Sequence, residues 1–243
     1  MEQKMHTPEG VRDIYNRECE TKIAIQKKLS TVLHLYGYQD IQTPTFEYDD
    51  VFRKEIGSTS TKELYRFFDR EGNILTLRPD ITPSVARAAA TLFETEDFPI
   101  RLCYAGNTFT NHTSYQGRLK ENTQLGAELI GLDSIEADAE MLAMVVDGLK
   151  RTGLKEFQVN IGHVDFIQSL LEATGLEDDE MDEIRTLINN RNYFGVEEIL
   201  DNRSVKESVK EALHILPELM GGPEILESAA RIAPSAEARL AVT

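Results

Sequence analysis

The chain has 243 residues, 41% of them hydrophobic, enough to bury a substantial core as one large domain or a domain with a small appendage. Its 42 acidic against 26 basic residues give a net charge of -16, which opposes non-specific capture of nucleic acid or of an anionic membrane. Its two cysteines, Cys19 and Cys103, lack CxxC or Cys/His ligand spacing, so neither a disulfide framework nor a metal site is expected, and a reducing cytoplasm fits.

The polar N-terminus "MEQKMHTPEGVRDIYNRE" has no signal-peptide core, and no apolar run reaches transmembrane length. From Asn16 to Tyr36, the recurrence of Ile25, Leu29, Val32, Leu33 and Tyr36 predicts a helix with one core stripe, stopped at Gly37. "YQDIQTPTFEY" reads as a strand broken at Pro44, because proline removes a ladder donor. "LYRFFDREGNILTLRPD" alternates on both sides of Arg70-Glu71-Gly72-Asn73, the pattern of an antiparallel hairpin. Thr82-Pro83 then reads as N-cap and first residue of a helix over "SVARAAATLF".

After Pro99, "IRLCYAG" predicts a strand that enters a second hairpin, Phe109 to Gly131, whose return arm is "NTQLGAELIG". Asp133 or Ser134 is placed to cap a helix with Ile135, Leu142, Val146 and Leu149 on its apolar side, and "FQVNIG" predicts a further strand. From about Val164 onward the pattern is helical and acidic, an accessory half. Hairpins among the strands predict an α+β fold, an antiparallel sheet flanked by helices, rather than a doubly wound parallel one. GxGxxG, P-loop, GxSxG and HExxH motifs are absent.

Two constellations carry potential chemistry. "TLRPDIT" presents Arg78, Asp80 and Thr82 at a strand end beside a helix start, and Asp80 with Thr82 and Gln124 offers an acidic partner and neutral acceptors to an α-amino group. On the second hairpin, Glu128 is placed to accept from a ligand nitrogen and Arg118 to pair with a carboxylate or phosphate. Each has a plainer reading. Thr82 serves equally as a cap, Glu128 as a solvated strand residue, and Arg118 with Lys120 as an exposed face. His112 and His163 are isolated and read as structural or surface residues.

The segments "TPEGVRDI", "YGYQDIQTPTFE", "LTLRPDITPSVAR", "RLCYAGNTF" and "GRLKENTQLGAELIG" together resemble the catalytic core of histidyl-tRNA synthetases and, more closely, the non-synthetase branch of that family, the regulatory subunits of ATP phosphoribosyltransferase. The resemblance covers about residues 5 to 165. It implies the class II aminoacyl-tRNA synthetase fold, a partial core over 1–165, and a helical insertion-like region over 166–243 in a chain truncated before the family's third motif. It also implies pairing as a dimer through the first helix and Pro44.

In the synthetases the hairpin opens with a Phe-Arg-x-Glu pattern that holds the ATP α-phosphate and adenine; here the same places are Phe109, Thr110, Asn111 and His112. The histidine-recognition positions are largely kept: Asp80 stands where glutamate is usual, and Thr82, Gln124 and Glu128 match, with Arg118 as a further candidate. No catalytic residue and no cofactor are implied. The resemblance therefore points to a regulatory subunit that associates with the short-form catalytic ATP phosphoribosyltransferase, permits the first step of histidine biosynthesis, and takes L-histidine as effector, without tRNA. A histidyl-tRNA synthetase or divergent paralogue, and a histidine-binding sensor in another assembly, remain open alternatives.

Overall fold

The computed structural model describes residues 5–53, 61–93, 98–112, 117–240 and 242. The chain forms two compact units, Met1–Gln158 and Val159–Thr243. The first contains, in order, α1 (Asn16–Leu35), β1 (Gln39–Asp40), β2 (Phe46–Tyr48), α2 (Asp50–Arg53), β3 (Arg66–Phe68), β4 (Ile74–Leu77), α3 (Thr82–Leu92), β5 (Ile100–Phe109), β6 (Glu121–Ile130) and α4 (Ile135–Thr152).

Two three-stranded sheets organise this α+β unit, one ordered β1-β5-β6 and the other β2-β4-β3. The β5–β6 pair is a continuous antiparallel ladder from Ile100↔Ile130 to Phe109↔Glu121. Among the described residues only β1 departs from antiparallel pairing, with Gln39 and Asp40 running parallel to Leu102 and Cys103. The break at Pro44 separates β1 from β2 and sends the two strands to different sheets, as a missing ladder donor there favours.

Because side chains alternate along β5, its two faces enter two cores. Ile100, Leu102 and Tyr104 pack with Ile81 and Val85 of the α3 side. Cys103 faces the other way and packs with Val32, Leu33, Tyr38 and Met144, so α1 and α4 cover the opposite face. On α1 the C-terminal half of the expected stripe is the buried part, Val32 and Leu33, while Ile25 is exposed. Helix α4 is rotated from the expected face: it buries Ala137, Met144 and Gly148 and leaves Ile135 85% exposed. The small Gly148 fits this choice, since a Cβ there would come within 3.2 Å of the Leu29 side chain of α1.

Helix ends follow their local chemistry. Gly37, at φ +85°, closes α1, with Gly37 N–H donating to His34 O and Tyr38 N–H to Leu33 O, the double bond of a Schellman turn. Ser134 caps α4 by accepting from Ala137 N–H at 3.3 Å. The β3–β4 turn is held by Asp69, whose carboxylate accepts from Glu71 N–H and Asn73 N–H around Gly72 at φ +88°. Residues 157–162, where the alternation predicts a strand, belong to no strand. Alternation marks a sheet face only where a neighbouring strand supplies a ladder, and Val159 and Ile161 are exposed.

The smaller sheet has inverted polarity. Toward α3 it turns Glu47, which accepts two bonds from Arg87, and Asp49, which accepts from Thr76 Oγ1 and Arg66 Nε at 2.6 Å each. The opposite face carries Phe46, Tyr48 and Phe67, which register across β4 places together; Phe46 and Phe67 meet edge to face at 5.7 Å. All three are exposed.

The second unit is helical: α5 (Val164–Glu172), α6 (Asp178–Asn189), α7 (Tyr193–Asp201), α8 (Glu207–Ile215), α9 (Ile225–Ile232) and α10 (Ala236–Leu240). Its core includes Phe166, Leu170, Leu171, Ile184, Leu200 and Leu213. His163 caps α5 by accepting from Asp165 N–H at 3.3 Å, a structural use of that ring. Among the described residues no helix is long and apolar enough to cross a membrane.

Candidate functional site

The strand pattern of β6 puts Gln124, Gly126 and Glu128 on one face, opposite Gly106, Tyr104 and Leu102 of β5. The turn at residues 80–82, leading from β4 into α3, lies against that face. Gln124 clamps the turn at both ends: its Oε1 accepts from Ile81 N–H at 3.0 Å and its Nε2 donates to Asp80 Oδ1 at 2.8 Å. Asp80 Oδ1 also accepts from Thr82 N–H at 3.2 Å. The carboxylate thus caps the helix start, which frees the threonine side chain.

Thr82 is accordingly not the N-cap that its sequence context suggests. It is the first helical residue, Ile81 precedes it without a side-chain cap bond, and its hydroxyl donates to Glu128 Oε1 at 2.8 Å. The structure brings Asp80, Thr82, Gln124 and Glu128 into one connected network. Each carboxylate commits one oxygen to the protein, Asp80 through Oδ1 and Glu128 through Oε1; among the described residues Asp80 Oδ2 and Glu128 Oε2 accept nothing. Two carboxylate oxygens flanking one threonine suit a ligand with cationic or neutral N–H donors.

Sequence reasoning missed Tyr104. Its hydroxyl donates to Glu128 Oε1 at 3.0 Å and lies 3.1 Å from Thr82 Oγ1. Burial, then the neighbouring Glu128 and Asp80 charges, pushes its phenol well above the usual tyrosine value, so it stays a donor. Gly126 makes room for the ring, because a Cβ there would come within 2.5 Å of the hydroxyl. A tyrosine in "RLCYAG" reads as a core aromatic; its partner across the ladder becomes visible only once the register is known.

Arg78 also differs from expectation. Rather than facing a ligand beside Asp80 it is buried, donating from Nε to Asn107 O at 2.8 Å and from Nη1 to Thr43 O at 2.8 Å and Pro44 O at 3.3 Å. Arg118 lies exposed in the hairpin between β5 and β6, outside the four-residue network, and forms no side-chain hydrogen bond or ion pair among the described residues. Residues 113–116 of that hairpin lie outside the described residues.

At the hairpin entry, Thr110 N–H donates to Lys120 O at 2.9 Å and Lys120 N–H to Gly10 O at 2.6 Å. His112 Nε2 lies 3.2 Å from Leu119 O, so its ring is engaged with the return arm. Neither Thr110 nor His112 presents a fixed positive charge.

The family model described as Histidyl-tRNA synthetase matches residues 10–243. A protein of Acetivibrio thermocellus called ATP phosphoribosyltransferase regulatory subunit is 38% identical over 226 residues, 93% of this chain and 54% of its own length. One of the same designation from Ruminiclostridium cellulolyticum is 40% identical over 224 residues, 92% of this chain and 54% of its own. The chain thus spans about half the length of these curated relatives. A solved structure from Bacillus halodurans C, described as an ATP phosphoribosyltransferase regulatory subunit/histidyl-tRNA synthetase, superposes with a TM-score of 0.88 at 32% identity, covering 98% of this chain and 62% of that one.

Proposed function

The chain belongs to the histidyl-tRNA synthetase family, and from that premise we propose that it acts without chemistry of its own, as a regulatory subunit of ATP phosphoribosyltransferase. The observation that carries this reading is a contrast between the two ends of the β5–β6 hairpin, one set against the 80–82 turn and the other at the hairpin entry. The amino-acid half keeps a connected network of Asp80, Thr82, Gln124 and Glu128, whereas the nucleotide half has Thr110 and a His112 engaged with Leu119 O. A transferring phosphate needs a fixed cation, and losing such a clamp costs about two to three orders of magnitude in rate, about 3–4 kcal/mol. The names of the relatives support the same assignment.

A protein of this kind works by differential binding, stabilising one state of a partner that performs the transfer, with a coupling of about 1–3 kcal/mol. The partner is the short-form catalytic subunit, the setting is the cytoplasm, and the reaction is the first step of histidine biosynthesis. L-histidine, with an ammonium and an imidazole to offer to Asp80 and Glu128, is the effector. The net charge of -16 disfavours tRNA. Self-association as a dimer would cover the outward aromatic face of the smaller sheet, Phe46, Tyr48 and Phe67.

Mixing the whole protein with the catalytic subunit from the same cell is expected to raise phosphoribosyl-ATP formation and to give a co-eluting hetero-oligomer. Equal activity of the catalytic subunit alone, with no complex on sizing at micromolar concentration, would overturn the reading in favour of a free histidine sensor.

A further inference from the structure

A second side-chain cluster lies on the other face of the main sheet, apart from the network at Thr82. His34 sits in the last turn of α1, Asp40 in β1 and Cys103 in β5. The Schellman turn at Gly37 reverses the chain so that His34 Nε2 lies 3.0 Å from Asp40 Oδ2. The parallel register sets Asp40 directly beside Cys103, and the thiol Sγ is 3.5 Å from Asp40 Oδ1. Ile41 N–H donates to Cys103 O at 2.9 Å and pins the strand end. One nitrogen, one oxygen and one sulfur donor therefore lie within 4.8 Å of one another on three backbone elements that are already fixed.

We propose that His34, Asp40 and Cys103 bind a divalent transition-metal ion of the zinc and cobalt class. Bonds of about 2.0–2.3 Å in a tetrahedron put imidazole, carboxylate and thiolate donors about 3.3–3.6 Å apart. His34 Nε2 meets Asp40 Oδ2 at 3.0 Å and Cys103 Sγ meets Asp40 Oδ1 at 3.5 Å, so the carboxylate already links the other two donors, and with all three within 4.8 Å of one another, side-chain rotation without backbone movement brings nitrogen, sulfur and one oxygen to that spacing. The donor set selects the metal: thiolate and imidazole favour borderline ions over magnesium or calcium. Cys103 forms a buried floor, while His34 and Asp40 are exposed, so a fourth position opens to water. The carbonyl end of α1 adds a partial negative charge beside the ion. On binding, the thiol proton passes to solvent as the sulfur–metal bond forms. Sequence spacing hides this site, because Asp40 is 6 residues from His34 and 63 from Cys103.

Cobalt(II) titrated into the whole, chelator-treated protein under a phosphine reductant is the test. One equivalent is expected to bind with micromolar or tighter affinity and to give a thiolate-to-cobalt charge-transfer band that zinc(II) bleaches. Cys103→Ser removes the band. The exposed-site variants His34→Gln and Asp40→Asn weaken binding at least tenfold with an unchanged circular dichroism spectrum, and Cys19→Ser leaves both band and affinity intact. Absence of the band in the native protein, its survival at full affinity in both His34→Gln and Asp40→Asn, or its loss in Cys19→Ser would each overturn the proposal.

Discussion

Replacing Tyr104 by phenylalanine deletes one hydroxyl and leaves the ring over Gly126. That hydroxyl donates to Glu128 Oε1 at 3.0 Å and also contacts Thr82 Oγ1. A hydrogen bond to a charged acceptor is worth about 1.5–3 kcal/mol net. Thr82 still donates to the same oxygen at 2.8 Å, so Glu128 is not stripped of partners and the lower end applies, about 1.5 kcal/mol. Native-state hydrogen exchange of the β5–β6 ladder amides reads the opening free energy of this region alone, which matters in a chain of two compact units. Tyr104→Phe is expected to speed exchange of the most protected ladder amides about tenfold. In a Glu128→Ala background the same substitution is expected to change exchange by less than about twofold, because the acceptor is gone. Equal acceleration in both backgrounds, or none in the native one, would refute the network as the source of Tyr104's contribution.

Glu128→Ala is expected to weaken L-histidine binding, or histidine inhibition of the assembled enzyme, by about tenfold or more, the value of one charged hydrogen bond; unchanged calorimetry and inhibition would place feedback at another site. The protein is expected to show no histidine-dependent pyrophosphate exchange above a no-enzyme blank, and Thr110→Arg alone is expected not to restore it while His112 remains bonded to Leu119 O. The Arg101 guanidinium, paired with Glu140 through two bonds of 2.9 Å, holds that carboxyl below its usual value. Since the folded value lies below the unfolded one, the pair stabilises the fold above about pH 4 and the contribution disappears as pH falls through the folded value. Glu140→Gln is therefore expected to cost about 1 kcal/mol at neutral pH in urea unfolding and to match the native chain in strong acid; a constant deficit across pH would contradict the pair's role.

The parts of the fold legible in the sequence are those set by local chemistry. The stop at Gly37, the Asp69–Asn73 turn, the split at Pro44 and the Ser134 cap all depend on residues a few positions apart. Of the candidate residues that family resemblance names, the structure joins Asp80, Thr82, Gln124 and Glu128 and leaves Arg118 apart; the wiring among the four was not legible. Thr82 reads as a cap although Asp80, two residues before it, competes for the same role by accepting its N–H, and nothing local reveals that Glu128, 46 residues on, takes its hydroxyl. Tyr104, the buried course of Arg78 and the parallel placement of β1 likewise depend on register across the sheet. The rotated face of α4 depends on where a glycine lets α1 approach. Periodicity reports that a face exists; the partner decides which turn of it is buried.

Arg78 and Gly106 bind two sequence positions into one choice. A Cβ at position 106 would run into the Arg78 guanidinium and Ile81, so a chain that keeps arginine at 78 accepts no side chain at 106. A chain that loses the arginine leaves the carbonyls of Thr43, Pro44 and Asn107 without their shared donor. Lysine offers no remedy, since a single ammonium cannot span carbonyls that the planar fork reaches from Nε and Nη1. Neither position is therefore free to drift by single steps: both one-change intermediates are worse than either end, and descendants of this sequence are expected to keep the pair or to exchange it together.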